Sequence, residues 1–183
     1  MSTIRTRAAV VLTAATAALG ATLSPASAAA CSTAWGSLPE ALADRGGGTL
    51  DDVRAGRHDC YDRLVLDLDG IDAADVSYDV RYVGRVVQDG SGHPVPLRGA
   101  ADLQVVVHTP AYDDGRATYD TRHDAEAVAV SGYRTFRQVA WAQSFEGTST
   151  VGLGVRARLP FRVTVLDGPG GGARLVVDVA HTW

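Results

Sequence analysis

Arg63-Leu64-Val65-Leu66-Asp67-Leu68 and Arg174-Leu175-Val176-Val177-Asp178-Val179 are two copies of one pattern, and their reading decides the fold. Successive side chains of a strand point to opposite faces. The first copy therefore turns Leu64, Leu66 and Leu68 inward and Arg63, Val65 and Asp67 outward. The second turns Leu175, Val177 and Val179 inward and Arg174, Val176 and Asp178 outward. An aromatic-led strand accompanies each copy, Tyr78–Val83 after the first and Phe161–Leu166 before the second. The expectation is two similar half-sheets packed face to face. Within one copy the Arg and Asp stand about 13 Å apart. They cannot pair with each other and need partners on neighbouring strands, or a ligand.

Outward from these copies the same period-2 alternation continues, and no long helical pattern interrupts it. Expected strands are 49–54, 63–69, 76–87, 102–108, 133–143, 151–156, 160–167 and 174–180. Between them stand turn signals at Asp89-Gly90-Ser91-Gly92, Asp113-Asp114-Gly115 and Gly168-Pro169-Gly170-Gly171-Gly172. Residues 112–127 form the longest stretch without a strand pattern and are expected as an acidic surface loop. Residues 31–48 read as loop, with one helical turn over 39–43. Many short strands between Gly, Pro and Asp turns argue for an all-β fold. The expected form is a small sandwich of two pseudo-symmetric antiparallel sheets with a loop-like N-terminal segment.

The chain has 183 residues, 46% apolar and 21% charged, which suits one domain plus a removable leader. Arg5 and Arg7, the apolar stretch Ala8–Leu23 and Pro25-Ala26-Ser27-Ala28 form a secretory signal over 1–28, with cleavage after Ala28 or Ala30. All 17 basic residues are Arg, and losing Arg5 and Arg7 leaves 15 against 21 acids, a formal −6. An acidic chain without a basic cluster is a poor partner for nucleic acid or an anionic membrane. The leader stretch is short, Ala/Thr-rich and followed by no stop-transfer pattern, so no membrane span is expected. Cys31 and Cys60 are an even pair in an oxidising compartment and are expected to form a disulfide. The open alternative is a lipidated Cys31 and a free Cys60, since Cys31 directly follows three alanines.

Chemistry is sparse. His58, His93, His108, His123 and His181 have no metal-protease spacing, and no Gly-x-Ser-x-Gly elbow occurs. Glu40, Glu126 and Glu146 are the only glutamates, and most Asp sit in turns or on outward strand positions. Neither a catalytic set, a metal site nor a cofactor is expected. Asp113, Asp114, Asp120 and Asp124 match no calcium-loop spacing and read as a solvated loop. Two clusters are denser than a loop needs. Arg57-His58-Asp59-Cys60-Tyr61-Asp62-Arg63 packs charge, aromatic and cysteine before a strand. Ser144-Phe145-Glu146-Gly147, followed by Gly152-Leu153-Gly154-Val155, sets an acid beside an aromatic, with glycines that signal a bulge or a tight crossing.

These two clusters resemble the AMIN-like domain family of secreted bacterial proteins. Gln88-Asp89-Gly90-Ser91-Gly92, Pro160-Phe161-Arg162-Val163 and Arg174-Leu175-Val176-Val177-Asp178-Val179 carry the resemblance further, so that it spans about 49–183 in order. The family is similar to the AMIN domain of cell-wall amidases, a small sandwich of two symmetric sheets that localises proteins to the periplasm or peptidoglycan. No amidase module follows in this sequence. The resemblance implies a secreted, non-catalytic envelope module whose partner is peptidoglycan or another envelope protein. The alternative is a secreted protein–protein interaction or inhibitor domain. Expected ligand contacts are Arg63, Asp67, Arg174 and Asp178 on the outer faces, with Arg57, Tyr61 and Glu146 from the two clusters. Arg offers a planar fork to stem-peptide carboxylates, and Asp accepts from hydroxyls and amides.

Overall fold

A computed structural model describes Cys31 and residues 34–183; the expected signal segment lies outside the described residues. The strands in chain order are β1 (Glu40–Leu42), β2 (Thr49–Arg57), β3 (Tyr61–Asp69), β4 (Tyr78–Val83), β5 (Val86–Val87), β6 (Pro94–Val95) and β7 (Ala101–Val107). They continue as β8 (Tyr112–Asp113), β9 (Arg116–Ala117), β10 (Phe136–Phe145), β11 (Thr148–Val155), β12 (Phe161–Asp167) and β13 (Ala173–Ala180). One sheet has the order β12-β13-β3-β2 and the other β1-β4-β7-β11-β10, with every pairing antiparallel. The two pack as a sandwich. Leu64, Leu66, Leu175 and Val177 from the first sheet meet Leu103, Val105, Val151 and Leu153 from the second, all fully buried. Period-2 burial is what made these strands readable.

The echoed copies do not face each other across the sandwich. They are β3 and β13, neighbours in one sheet, and Val65 pairs with Val176 at their centre. Antiparallel pairing then sets Arg63 opposite Asp178 and Arg174 opposite Asp67. A strand carrying Arg at i and Asp at i+4 is thus complementary to an antiparallel copy of itself. The local symmetry relates two hairpins, β2–β3 and β12–β13, side by side.

Two segments close the sides of the sandwich. On one side, residues 36–42 run from the edge of β12 to the edge of β4. Gly36 accepts from the Phe161 amide at 2.8 Å, Glu40 accepts from the Val163 amide at 3.1 Å, and β1 pairs with β4. The expected helical turn over 39–43 is therefore a strand, because the open edge of β4 supplies backbone partners that an isolated turn lacks. On the other side, Leu50 donates to Pro110 at 2.8 Å, Gln138 donates to Ala125 at 2.7 Å and the Ala127 amide to Val139 at 2.9 Å. The expected loop over 112–127 contains the β8–β9 hairpin and the buried Tyr119, whose ring meets Trp141 edge-on at 4.9 Å.

The expected strand over 76–87 breaks after Val83. From there, residues 84–100 fold back over the outer face of the five-stranded sheet. Gly154 permits this close crossing: a Cβ there would lie 2.1 Å from the Arg98 carbonyl oxygen. At Gly152 the added atom would press on Leu97 at 3.2 Å. The turn at 88–92 holds Gly90 and Gly92 at positive φ, and Asp89 accepts from the Thr150 hydroxyl at 2.9 Å. Its carboxylate pins the flap to the sheet.

Burial pushes the Tyr119 phenol up to about 12, and Asp52, Asp124 and Asp120 add to the shift. The fold holds this proton more tightly than the unfolded chain, whose phenol titrates near pH 10. Its contribution to stability is complete below about pH 10 and is lost as pH rises towards about 12. An alkaline absorbance titration is expected to show Tyr119 ionising last of the six tyrosines, and Tyr119→Phe to remove that last step. A step near pH 12 that survives the substitution unchanged would contradict the assignment.

Candidate functional site

The outer face of the four-stranded sheet is a lattice of ion pairs laid over two valines. Asp178 is 1% exposed. Its Oδ1 accepts from Arg63 Nε at 2.6 Å, and its Oδ2 accepts from Arg63 Nη2 and Arg162 Nε, both at 2.9 Å. Asp67 takes a bidentate fork from Arg54 at 2.5 and 2.9 Å. Arg174 donates to the Asp167 carbonyl at 2.6 and 3.1 Å. Val65 and Val176 at the centre of this outward row are 5% and 2% exposed. Charged side chains cover apolar surface with their stems while their heads pair. Arg63 and Asp178 are committed to one another, and Asp67 is committed to Arg54. The cross-strand partners that the sequence demanded are other strands of the same sheet.

This lattice ends in a stack of rings at the β2–β3 turn. Arg162 lies 4.4 Å from the centre of the Trp35 ring, and Arg63 lies 5.3 Å from the Tyr61 ring. Trp35 meets Tyr61 edge-on at 5.6 Å, and His58 stacks on Tyr61 at 4.5 Å. A guanidinium over an aromatic face is attractive, and more so when both are partly dry. The expected disulfide is present: Cys31–Cys60 ties residues preceding Trp35 to the same turn across a sequence separation of 29. Such a crosslink typically contributes about 3 kcal/mol by restricting the unfolded chain.

Beside the rings lies a hollow of about 360 Å³ lined by Arg57, His58, Asp59, Asp62, Gly132, Arg134 and His181. Its floor is a buried polar knot. Asp62, 1% exposed, accepts the Thr135 and Phe136 amides at 2.6 and 3.1 Å and faces His181 Nε2 at 3.1 Å. His181 Nδ1 faces the Asp59 carbonyl at 3.1 Å. Both ring nitrogens are engaged, so neither is free to act as a base. The walls are different. Arg57 lies 5.9 Å from the centre of the Tyr133 ring, and Arg134 donates to the Asp59 carbonyl at 3.3 Å. Neither guanidinium meets a carboxylate among the described residues. The exposed Asp59 and the buried Asp62 line the same hollow, and neither carboxylate forms a salt bridge with these two cations among the described residues.

Arg57 and Tyr61 are thus brought together with Arg63 and Asp178, while Glu146 is not. Asp62 contacts Phe136 at the start of β10, and Glu146 follows Phe145 at its end. Ten residues of strand separate them by about 30 Å. Trp35, Arg134 and Arg162 belong to the cluster without having been expected there. Trp35 sits in a segment with no periodicity, and Arg162 reaches Asp178 only through the β12–β13 register. The AMIN-like domain profile matches residues 48–181. No curated protein matches the chain.

The buried knot should be costly to cut. Asp62→Ala leaves two buried amides and His181 without their acceptor, and is expected to cost about 3 kcal/mol in urea unfolding. A loss below about 1 kcal/mol would mean that water replaces the carboxylate freely.

Proposed function

Because this chain belongs to the AMIN-like domain family, a cell-wall-related group, we propose that it is a non-catalytic envelope module that binds peptidoglycan through the β2–β3 end of the sandwich. The observation that carries this reading is the pair of guanidinium groups, Arg57 and Arg134, that flank the hollow beside Tyr61 without a salt bridge among the described residues. Stem-peptide carboxylates are planar anions, and a guanidinium fork matches them with two parallel hydrogen bonds. The Trp35 and Tyr61 rings offer an amphipathic edge next to that anion position.

In this reading the outward residues divide the work. Arg57, Arg134 and Tyr61 meet the wall. Arg63, Arg162 and Asp178 hold the rings in place from beneath, and Asp67 with Arg54 and Arg174 extends that support. The disulfide keeps Trp35 over Arg162 outside the cell, where a thiol pair would be oxidised.

Co-sedimentation with purified sacculi tests the proposal. Arg57→Ala combined with Arg134→Ala is expected to reduce wall binding at least about ten-fold while leaving the melting temperature nearly unchanged, since neither side chain holds a buried charge. Wild-type binding by a folded double variant would refute the assignment of the contact surface. Absence of saturable wall binding by the wild-type protein would refute the function itself.

A further inference from the structure

The two outer faces of the sandwich differ in how far their polar groups satisfy one another. On the four-stranded sheet nearly every charged group has a partner. On the five-stranded sheet the β4-β7-β11 register places Asp79, Val106 and Thr150 in one row and Arg81, Gln104 and Gly152 in the next. The folded-back flap covers the glycine end of these rows. The other end remains as a groove of about 460 Å³ whose lining includes Arg81, Gln104, His108, Phe145 and Glu146. The side chains of Gln104, His108 and Glu146 make no hydrogen bond among the described residues. Arg81 Nε lies 2.9 Å from Asp79 Oδ1 but off the bonding direction, and that buried oxygen has no donor.

The rim of this groove is built at a conformational cost. Glu146 has φ +47° and precedes Gly147 at φ +82°, in a hairpin turn where Asn-Gly would sit without strain. Strain held at a non-glycine residue is a pointer to function when a chemical group comes with it. Here the group is an unpartnered carboxylate. The ring next to it, Phe145, is 38% exposed, and its tip rests on Gly90, where an added Cβ would come within 3.0 Å. The flap therefore fixes the ring as one wall of the groove.

We infer that this groove is a second binding site, for a neutral sugar chain. Anions are disfavoured, because Arg81 is balanced by Asp79 while Asp89 and Glu146 add negative charge. An aromatic ring presents an apolar face to the C–H side of a pyranose. The Gln104 amide and the His108 ring each offer a donor and an acceptor, and the Glu146 carboxylate adds acceptors, which together suit neighbouring hydroxyls. A few placed polar groups around one apolar surface is the general make-up of a small-ligand site. This site is separate from the Arg57–Arg134 hollow and does not rest on the wall-binding reading.

The test is an amide NMR titration of the secreted, oxidised full chain with chitotetraose, a soluble neutral oligosaccharide. Saturable shifts are expected at Gln104, Val106 and Thr148 in the millimolar range. Phe145→Ala and Gln104→Ala are each expected to weaken binding at least about ten-fold, with the amide spectrum itself reporting that both variants remain folded. Arg57→Ala with Arg134→Ala is expected to bind the sugar like the wild type, which separates this site from the wall-binding surface. No shifts at saturating sugar, shifts confined to the Arg57–Arg134 end, or undiminished binding by the folded Phe145 and Gln104 variants would overturn the inference.

Discussion

The Asp178 carboxylate is held between Arg63 from one neighbouring strand and Arg162 from the other, and the organisation of the four-stranded sheet follows from that grip. A nearly buried charge is tolerated only when paired and hydrogen-bonded, and three donors meet that requirement here. The pairing also fixes register. A slip of one residue between β3 and β13 would set Arg63 against a neighbour of Asp178 and turn the apolar row of the slipped strand, Leu64/Leu66 or Leu175/Val177, outward. Charge complementarity and core burial therefore select the same alignment.

From this pair the rest of the functional end is built in steps. Arg63 and Arg162 carry the Tyr61 and Trp35 rings on their guanidinium planes. Trp35 belongs to the segment that seals the edges of β12 and β4, and Cys31 ties that segment to the β2–β3 turn. The Asp62 knot joins the same turn to the start of β10 in the opposite sheet. The β2–β3 end is thus fixed from both sheets, and Arg57 and Arg134 stand on that rigid base. The opposite face follows another logic: its flap covers part of the sheet and leaves the remainder polar and open.

Most strands were legible because burial on one face imprints a two-residue period, as in Leu64/Leu66/Leu68 and Leu103/Val105/Val107. The disulfide was legible from an even cysteine count, and the close crossing from Gly152 and Gly154. The placement of the echo was not. Periodicity assigns a residue to a face but does not say which strand lies beside it, so the two copies read equally well as facing sheets or as neighbours. Arg63 and Asp178 looked like ligand contacts because their partners lie 115 residues apart in sequence. The three-residue strand β1 is too short to show a period, and its strand form comes from the β4 edge that receives it. Trp35, alone in a loop-like stretch, gave no signal at all.

The central claim is that Arg63 and Asp178, outward on the two echoed strands, serve each other. A double-mutant cycle with Arg63→Ala and Asp178→Ala, read by urea unfolding, addresses it directly. The account predicts a coupling of about 1–3 kcal/mol between the two substitutions. Effects that add to within about 0.5 kcal/mol would contradict it and return both side chains to the solvent as free ligand contacts.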